Sequence, residues 1–267
     1  MNNQKPIDLG SVRTENVRSF WQKNPLCVSG NPHDIGSYAF FDYYNNLREE
    51  IESKAFSRKL HEYPDFANKR VLDVGCGNGY VLANYAKEGA KTYGIDITSA
   101  GIDICRQRFD HLNLDGDFRV ADAQSLPFED NFFDCVCSMG VLHHVPDTQL
   151  ALDEIYRVLK PGGRLIVMFY HKNSAKYQFK YRLFNIFGKK TMQQLVNEFD
   201  GIGNPKGTVF SKDELTEALI KFNQVSMKVG YLSTGDIILR GYRFLPPNLF
   251  KPLASLLGWN LYAKAYK

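Results

Sequence analysis

Apolar and polar positions change their spacing several times along the middle of the chain. Residues 71–74 and 165–167 are nearly continuous apolar runs, which is typical of strands buried on both faces of a sheet. Between such runs the apolar residues recur at the helical period, as Leu152, Ile155 and Leu159 do. The segments that we predict to be strands are RVLDVG, TYGIDI, DFRVADA, FFDCVCSM and GRLIVMFY. Because strands that alternate with helices form βαβ units, the pattern predicts a parallel sheet over residues 70–171.

The segments on either side of this core have their own patterns. Residues 1–69 are aromatic-rich with helical spacing and predict a helical N-terminal cap. Residues 172–267 begin with a basic, aromatic stretch, predicted to be a lid or insert, and end with two alternating runs that predict closing strands of the same domain. Between them, Ser211 and Glu214 have the spacing of a helix capping box. We therefore expect an α/β fold: a Rossmann-like, doubly wound, mostly parallel sheet with an antiparallel final strand pair, plus helical cap elements.

The composition is that of an ordinary globular protein. The chain has 267 residues, of which 44% are hydrophobic and 23% are charged, and this length can bury a core without disulfides or structural metals. Its five cysteines lack metal-site spacing and its N-terminal residues lack an apolar signal core, so we predict reduced thiols, no metal and a cytoplasmic location. Pro246, Pro247 and Pro252 interrupt the apolar stretch 244–262, and we predict no membrane span.

A glycine-rich loop follows the first predicted strand. Gly75, Gly77 and Gly79 occupy alternate positions in DVGCGNG, where the backbone can turn sharply and a ligand can approach the main chain without meeting a Cβ. A dinucleotide fingerprint would need a glycine where Tyr80 stands, and no Gly-Lys-Ser/Thr sequence follows for a phosphate loop. The loop thus predicts a ligand site that is neither a standard dinucleotide site nor a Walker loop.

Acidic residues follow the next two predicted strands. Asp96 ends the second strand, where a carboxylate can accept hydrogen bonds from both hydroxyls of a ribose. Asp122 and Ala123 follow the third, where the carboxylate can accept from an exocyclic amine and a backbone N–H can donate to a ring nitrogen. A turn with a solvated carboxylate is the alternative for Asp122. Because the carboxyl ends of parallel strands meet at one sheet edge, these residues and the glycine loop predict a single nucleoside site.

These motifs resemble the class I S-adenosylmethionine-dependent methyltransferase family, in its small-molecule branch, similar to the ubiquinone and menaquinone methyltransferases. The matching blocks are DVGCGNG (73–79), GID (94–96), ADAQSLPF (121–128), FDCVCSMGVLHHVPD (133–147) and RVLKPGGRLIV (157–167). The resemblance implies a domain that binds S-adenosylmethionine and transfers its methyl group to O, N or C of a small molecule. It assigns the methionine moiety to Asp73, Gly75, Cys76 and Gly77, the ribose to Asp96, the adenine to Asp122 and Ala123, and the region beside the sulfonium to Met139 and Gly140. Gly79 and Ile97 complete the predicted cofactor-binding set.

Weaker signals concern the methyl acceptor. A hydroxyl acceptor would benefit from a general base, for which we predict His171 and His144; a surface position and a structural role are their respective alternatives. His143 and His144 are expected to open the helix after the fourth strand.

Arg48 is interpreted as a solvated helix charge, with contact to the methionine carboxylate as the alternative. The block after the fourth strand lacks the Asn/Asp-Pro-Pro-Tyr/Phe sequence of amino-methylating nucleic-acid enzymes, so the predicted partner is a small molecule and not a nucleic acid.

Charge is divided unevenly along the chain. Residues 1–171 carry 18 Lys and Arg against 23 Asp and Glu, whereas residues 172–267 carry 15 against 6. The basic part, which is predicted to build the acceptor side, favours an anionic or carrier-bound substrate, and it leaves peripheral contact with an anionic membrane surface open as an alternative.

A non-catalytic S-adenosylmethionine-binding or scaffold protein is the alternative to an enzyme, because the motifs indicate binding and none proves transfer. The sequence indicates no oligomeric state.

Overall fold

The computed structural model describes residues 12–26, 28, 30–179, 191–199, 201, 203–232 and 253–267. The strands within this part of the chain are β1 Arg70–Val74, β2 Lys91–Asp96, β3 Asp117–Val120, β4 Phe133–Met139, β5 Leu159–His171, β6 Val209–Phe210, β7 Asn223–Gly230 and β8 Asn260–Tyr266. They form one sheet in the order β3-β2-β1-β4-β5-β8-β7, and the short β6 pairs with the end of β5.

The strand order reverses beside β1. This strand pairs in parallel with β2 on one side and with β4 on the other, and the parallel ladders continue to β3 and β5. In open α/β sheets such a switch point leaves a crevice outside the carboxyl ends of the strands. The crevice in this sheet lies where β1 ends at Val74 and β4 ends at Met139.

Helices flank the sheet and bury both of its faces. The main helices are α1 Thr14–Lys23, α2 Tyr38–Ile51, α3 Lys54–His61, α4 Tyr80–Lys87, α5 Ser99–Leu112, α6 Thr148–Val158, α7 Met192–Phe199, α8 Lys212–Ala218 and α9 Ala254–Leu257, with a 3-10 turn at Tyr63–Phe66. Consecutive residues of a strand point to opposite faces, and here they enter different clusters. Leu72 and Leu165 belong to one buried cluster, while their neighbours Val71 and Ile166 belong to another. Burial on both faces therefore explains the continuous apolar runs of β1 and β5.

The structure confirms the predicted fold class. The five predicted parallel strands are β1–β5, and β7 pairs antiparallel with β8. Strand β8 is also antiparallel to β5 and lies between β5 and β7, so only β7 of this pair is at the sheet edge. The predicted capping box starts α8, where the side chains of Ser211 and Glu214 each accept a hydrogen bond from the other's backbone N–H.

The helix after β4 begins later than predicted. Helix α6 starts at Thr148, where Asp147 caps it by accepting the N–H of Leu150 at 3.0 Å. Because Pro146 disfavours helical backbone at the residue before it, His143 and His144 lie in the connection at residues 140–147, which we call the β4–α6 loop.

Part of the predicted lid cannot be compared with the structure. Residues 180–190 and 233–252, which include much of the basic aromatic stretch and of the apolar stretch 244–262, lie outside the described residues. Among the residues that the structure describes, no helix is long and apolar enough to cross a membrane.

Candidate active site

A cleft opens at the switch point between β1 and β4. The predicted site residues that line it are Asp73, Gly75, Cys76, Gly77, Asp96, Ile97, Ala123, Met139, Gly140 and His144. The structure therefore brings most of the predicted residues together on one surface.

The glycine loop between β1 and α4 needs its glycines for two different reasons. Gly75 has φ +79°, and a Cβ there would lie 2.4 Å from the Val141 side chain, so close packing against the β4–α6 loop requires it. Gly77 has φ +48°, and a Cβ there would meet no atom within 4 Å. Because Gly77 lines the cleft, its missing side chain leaves space that a ligand can fill against the backbone.

Asp96 is fixed at the end of β2 by three donors. Its Oδ1 accepts from the backbone N–H and the hydroxyl of Thr98, at 2.9 and 2.7 Å. Its Oδ2 accepts from the N–H of Gly77 at 3.1 Å. Burial raises the pKa of this carboxyl, and the hydrogen bonds from Thr98 and Gly77 oppose that rise. The carboxylate thus has a defined orientation beside the glycine loop before any ligand arrives.

Asp73 is the most deeply buried carboxyl of the cleft. It is 4% exposed, and burial raises its pKa to about 7, with a hydrogen bond to Cys137 lowering it and the nearby charge of Asp96 raising it further. A carboxyl in this environment gains a strong preference for a cationic neighbour, because a positive charge would offset the cost of its desolvated negative charge.

Arg48 is not the solvated helix charge that we predicted. Its side chain is only 11% exposed and pairs with Glu52 at 2.7 Å, and it lines the cleft. Burial disfavours the charged guanidinium, but the Glu52 carboxylate beside it holds its pKa above the ordinary value. Glu52 in turn accepts from the Tyr262 hydroxyl at 2.6 Å. Tyr262 of strand β8 therefore helps to hold the Arg48 guanidinium at the cleft through Glu52, although it is far from both residues in sequence.

His144 faces the cleft in one tautomer. Its Nδ1 lies 2.6 Å from the carbonyl oxygen of Lys206, and since a carbonyl can only accept, Nδ1 carries a proton. In the neutral ring Nε2 therefore carries the lone pair. The ring packs edge-on against Trp21 with centroids 5.0 Å apart. Lys206 also donates from Nζ to the carbonyl of Pro146 at 2.5 Å. The segment before β6 thus holds the β4–α6 loop in place.

Three predicted site residues lie outside the cleft lining. Gly79 begins α4, where a Cβ would lie 2.7 Å from Cys105 Sγ, so it serves packing. Asp122 accepts from the backbone and side-chain N–H groups of Gln124. His171 ends β5 as expected, but it is 4% exposed and its Nδ1 lies 3.0 Å from the carbonyl of Gly258. The catalytic role of His171 and the adenine contact of Asp122 remain predictions.

The second wall of the cleft escaped sequence reasoning. It is formed by α1 and the residues after it together with the end of the β4–α6 loop, and its members are Val17, Trp21, Pro25, Leu26, Val145 and Pro146. The charged lining residues among the described ones are Arg48, Asp73 and Asp96, so this second wall is apolar. Trp21 within an amphipathic helix was the available signal, although its pattern is equally typical of packing.

Comparison with known proteins agrees with this geometry. A family model described as a methyltransferase domain matches residues 72–167. The ubiquinone biosynthesis O-methyltransferase of Alkalilimnicola ehrlichii is 33% identical over 141 residues, which are 52% of each chain. The chain thus spans about half the length of the curated relatives that it matches.

Solved structures share the whole architecture at low identity. Magnesium protoporphyrin IX methyltransferase from Synechocystis PCC 6803, with bound SAH, has a TM-score of 0.62 at 13% identity and covers 96% of this chain and 100% of its own. The [4+2]-cyclase SpnF has a TM-score of 0.54 at 20% identity, with coverages of 95% and 92%. These likenesses show the fold, and the cyclase shows that the fold alone does not identify a reaction. Residues 72–167 thus match a methyltransferase domain, and the solved structures show that the chain has the Rossmann-like fold of S-adenosylmethionine-dependent methyltransferases.

Proposed function

We propose that the chain binds S-adenosylmethionine in the cleft and catalyses transfer of its methyl group to O, N or C of a small molecule. The observation that carries this proposal is the meeting of the glycine loop, Asp73 and Asp96 in one cleft, and residues 72–167 match a methyltransferase domain. The curated relatives named for ubiquinone biosynthesis support a small-molecule acceptor.

The cleft has suitable groups for the ribose and for the methionine moiety of the cofactor. Asp96, already oriented by Thr98 and Gly77, can accept from the ribose hydroxyls. Asp73 can bind the ammonium group, and Arg48 can bind the carboxylate of the methionine moiety. The open space at Gly77 admits the ligand against the backbone. Bound there, S-adenosylmethionine supplies a methyl group that its sulfonium makes electrophilic.

The residues of this chain orient the acceptor and exclude water. The apolar wall around Trp21 and Pro146 removes water from the acceptor side, and positioning of this kind contributes much of the rate of a two-reactant step. If the acceptor is a hydroxyl, Nε2 of His144 accepts its proton, because Nδ1 is committed to the Lys206 carbonyl. The apolar wall suits an acceptor with an apolar or aromatic body, and an anionic or carrier group would lie away from the reacting end.

The proposal is tested by binding and transfer measured separately. We expect S-adenosylhomocysteine (SAH) to bind in isothermal titration calorimetry and NADH not to compete with it. We expect S-adenosylmethionine with a labelled methyl to label members of a panel of small phenols and quinols. Failure to bind SAH would refute the assignment. Binding without transfer to hydroxyl, amine or carbon acceptors would favour the non-catalytic alternative.

A separate prediction concerns the release of a proton from Asp73 when a ligand binds. Its pKa of about 7 leaves it partly protonated at neutral pH, and the ammonium group of SAH would favour the carboxylate, lowering that pKa. SAH binding at pH 7 is therefore expected to release a fraction of a proton, and affinity is expected to rise from pH 5 to pH 8. Calorimetry in phosphate and in Tris, whose ionisation enthalpies differ, measures the release. Methylthioadenosine, which lacks the amino acid moiety, is the control, and equal buffer dependence for both ligands contradicts the assignment of Asp73.

A further inference from the structure

We infer that Arg108 is a positioning residue that couples the N-terminal helices to the glycine loop, so that cofactor binding and the placement of α2 stabilise each other. Arg108 lies on α5 and is absent from the described lining of the cleft. The inference rests on the proposed function, since it concerns the same cofactor cleft.

One guanidinium joins two parts of the chain that both contribute to the cleft. Arg108 is 3% exposed. Its Nε donates to the carbonyl of Asn78 at 2.6 Å, and its Nη1 donates to Oδ1 of Asn45 at 2.9 Å. Asn78 belongs to the glycine loop, and Asn45 belongs to α2. A displacement of either partner therefore changes the geometry at the other.

Aromatic rings from the same two parts surround the guanidinium. Its central carbon lies 4.5 Å from the ring centroid of Phe41, 5.9 Å from that of Tyr44 and 5.7 Å from that of Tyr80. The rings of Tyr44 and Tyr80 also contact each other edge-on, with centroids 5.9 Å apart. Both tyrosines line the cleft. Arg108 thus contacts two residues of the cleft lining, Tyr44 and Tyr80, although it does not itself line the cleft.

The chemistry of this position requires arginine. A planar guanidinium can donate in two directions and still present its faces to aromatic rings, whereas a lysine ammonium cannot span both acceptors in the same way. Helix α2 carries Arg48 one turn beyond Tyr44. When a ligand orders the glycine loop, the link through Arg108 therefore favours the α2 position that presents Arg48 to the cleft. By thermodynamic reciprocity, a well-placed α2 favours ligand binding.

The test compares two adjacent asparagines of α2. Asn45→Ala removes the acceptor on α2, while Asn46→Ala makes the same chemical change at an exposed residue that bonds only weakly to Asp42, at 3.4 Å. Neither side chain lines the cleft. We expect Asn45→Ala to weaken SAH binding about 5-fold or more, Asn46→Ala to leave it unchanged, and Asn45→Asp to restore it by providing a carboxylate acceptor.

Hydrogen exchange supplies the readout that a merely structural role would not change. SAH is expected to protect the amides of α2 from exchange in the wild-type chain and in Asn46→Ala. In Asn45→Ala and Arg108→Lys we expect SAH to give no such protection. If Arg108→Lys does not fold, the asparagine pair still decides the matter. Equal SAH affinity for the two alanine variants, or equal protection of α2 by SAH in Asn45→Ala and wild type, overturns the inference. A wild-type chain that does not bind SAH instead overturns the proposed function itself.

Discussion

Asp96→Ala is expected to weaken SAH binding by about 100-fold or more. In the proposed cofactor site the substitution would remove the acceptors for two ribose hydroxyls. Hydrogen bonds to a charged group contribute about 1.5–3 kcal/mol each, where 1.4 kcal/mol is a factor of ten in affinity. It also removes the acceptor of the Gly77 N–H and of both Thr98 donors, so the glycine loop loses an anchor. Isothermal titration calorimetry measures the affinity.

His171→Ala is the matched comparison for this experiment. Its side chain is also buried at the carboxyl end of a strand, yet it lies outside the described cleft lining. We expect its SAH affinity to stay within about threefold of wild type, as for a substitution away from the binding site. Thermal denaturation of both variants separates loss of the site from loss of the fold. An Asp96→Ala variant that binds SAH within tenfold of wild type would show that Asp96 does not hold the ribose.

His144→Asn is expected to slow methyl transfer to phenol by about 100- to 10,000-fold, the range for removing a general base, with SAH affinity unchanged. The asparagine amide can still donate to the Lys206 carbonyl, as Nδ1 does in the native chain, but it has no basic nitrogen at the position of Nε2. Initial rates with labelled S-adenosylmethionine measure the effect.

A second acceptor distinguishes a base from a structural residue. At about pH 8, phenol is protonated because its pKa is about 10, whereas 4-nitrophenol is already ionised and needs no base. The variant is therefore expected to be slow with phenol and close to wild type with 4-nitrophenol. His33→Asn, the same change at an exposed histidine, should alter neither rate. A deficit of equal size for both acceptors would assign His144 a structural role only.

The parts of the molecule that could be predicted from sequence are those that local pattern determines. Val71 and Leu72 point to opposite buried faces, so their strand appears as a continuous apolar run. Gly77 and Asp96 follow directly from strand ends, because parallel strands bring their carboxyl ends to one edge. For the same reason the sequence predicts that Gly77 and Asp96 lie close together, and both line the cleft.

The rest of the cleft depends on contacts between distant parts of the chain. Arg48 has the spacing of a solvated helix residue, and only its ion pair with Glu52 and the support of Tyr262 place it in the cleft. Trp21 meets His144 across more than a hundred residues of sequence. His171 occupies the strand end that was predicted, but the end of β5 lies beside Gly258 and not in the cleft lining. The local sequence pattern predicts neither the placement of Arg48 and Trp21 in the cleft nor the absence of His171 from its described lining.

The residues that form and support the cleft are distributed unevenly along the chain. The matched block 72–167 carries Asp73, Asp96 and the glycine loop, while Trp21 on the apolar wall, the Glu52 that pairs with Arg48, and the Lys206 that holds the β4–α6 loop come from before and after it. On the proposed function, a chimera that exchanges only this block between relatives would keep the cofactor site and combine Val145 and Pro146 of one parent with Trp21 of the other on the apolar wall. The block and its flanking segments would therefore both shape the space beside the cofactor site in such a chimera.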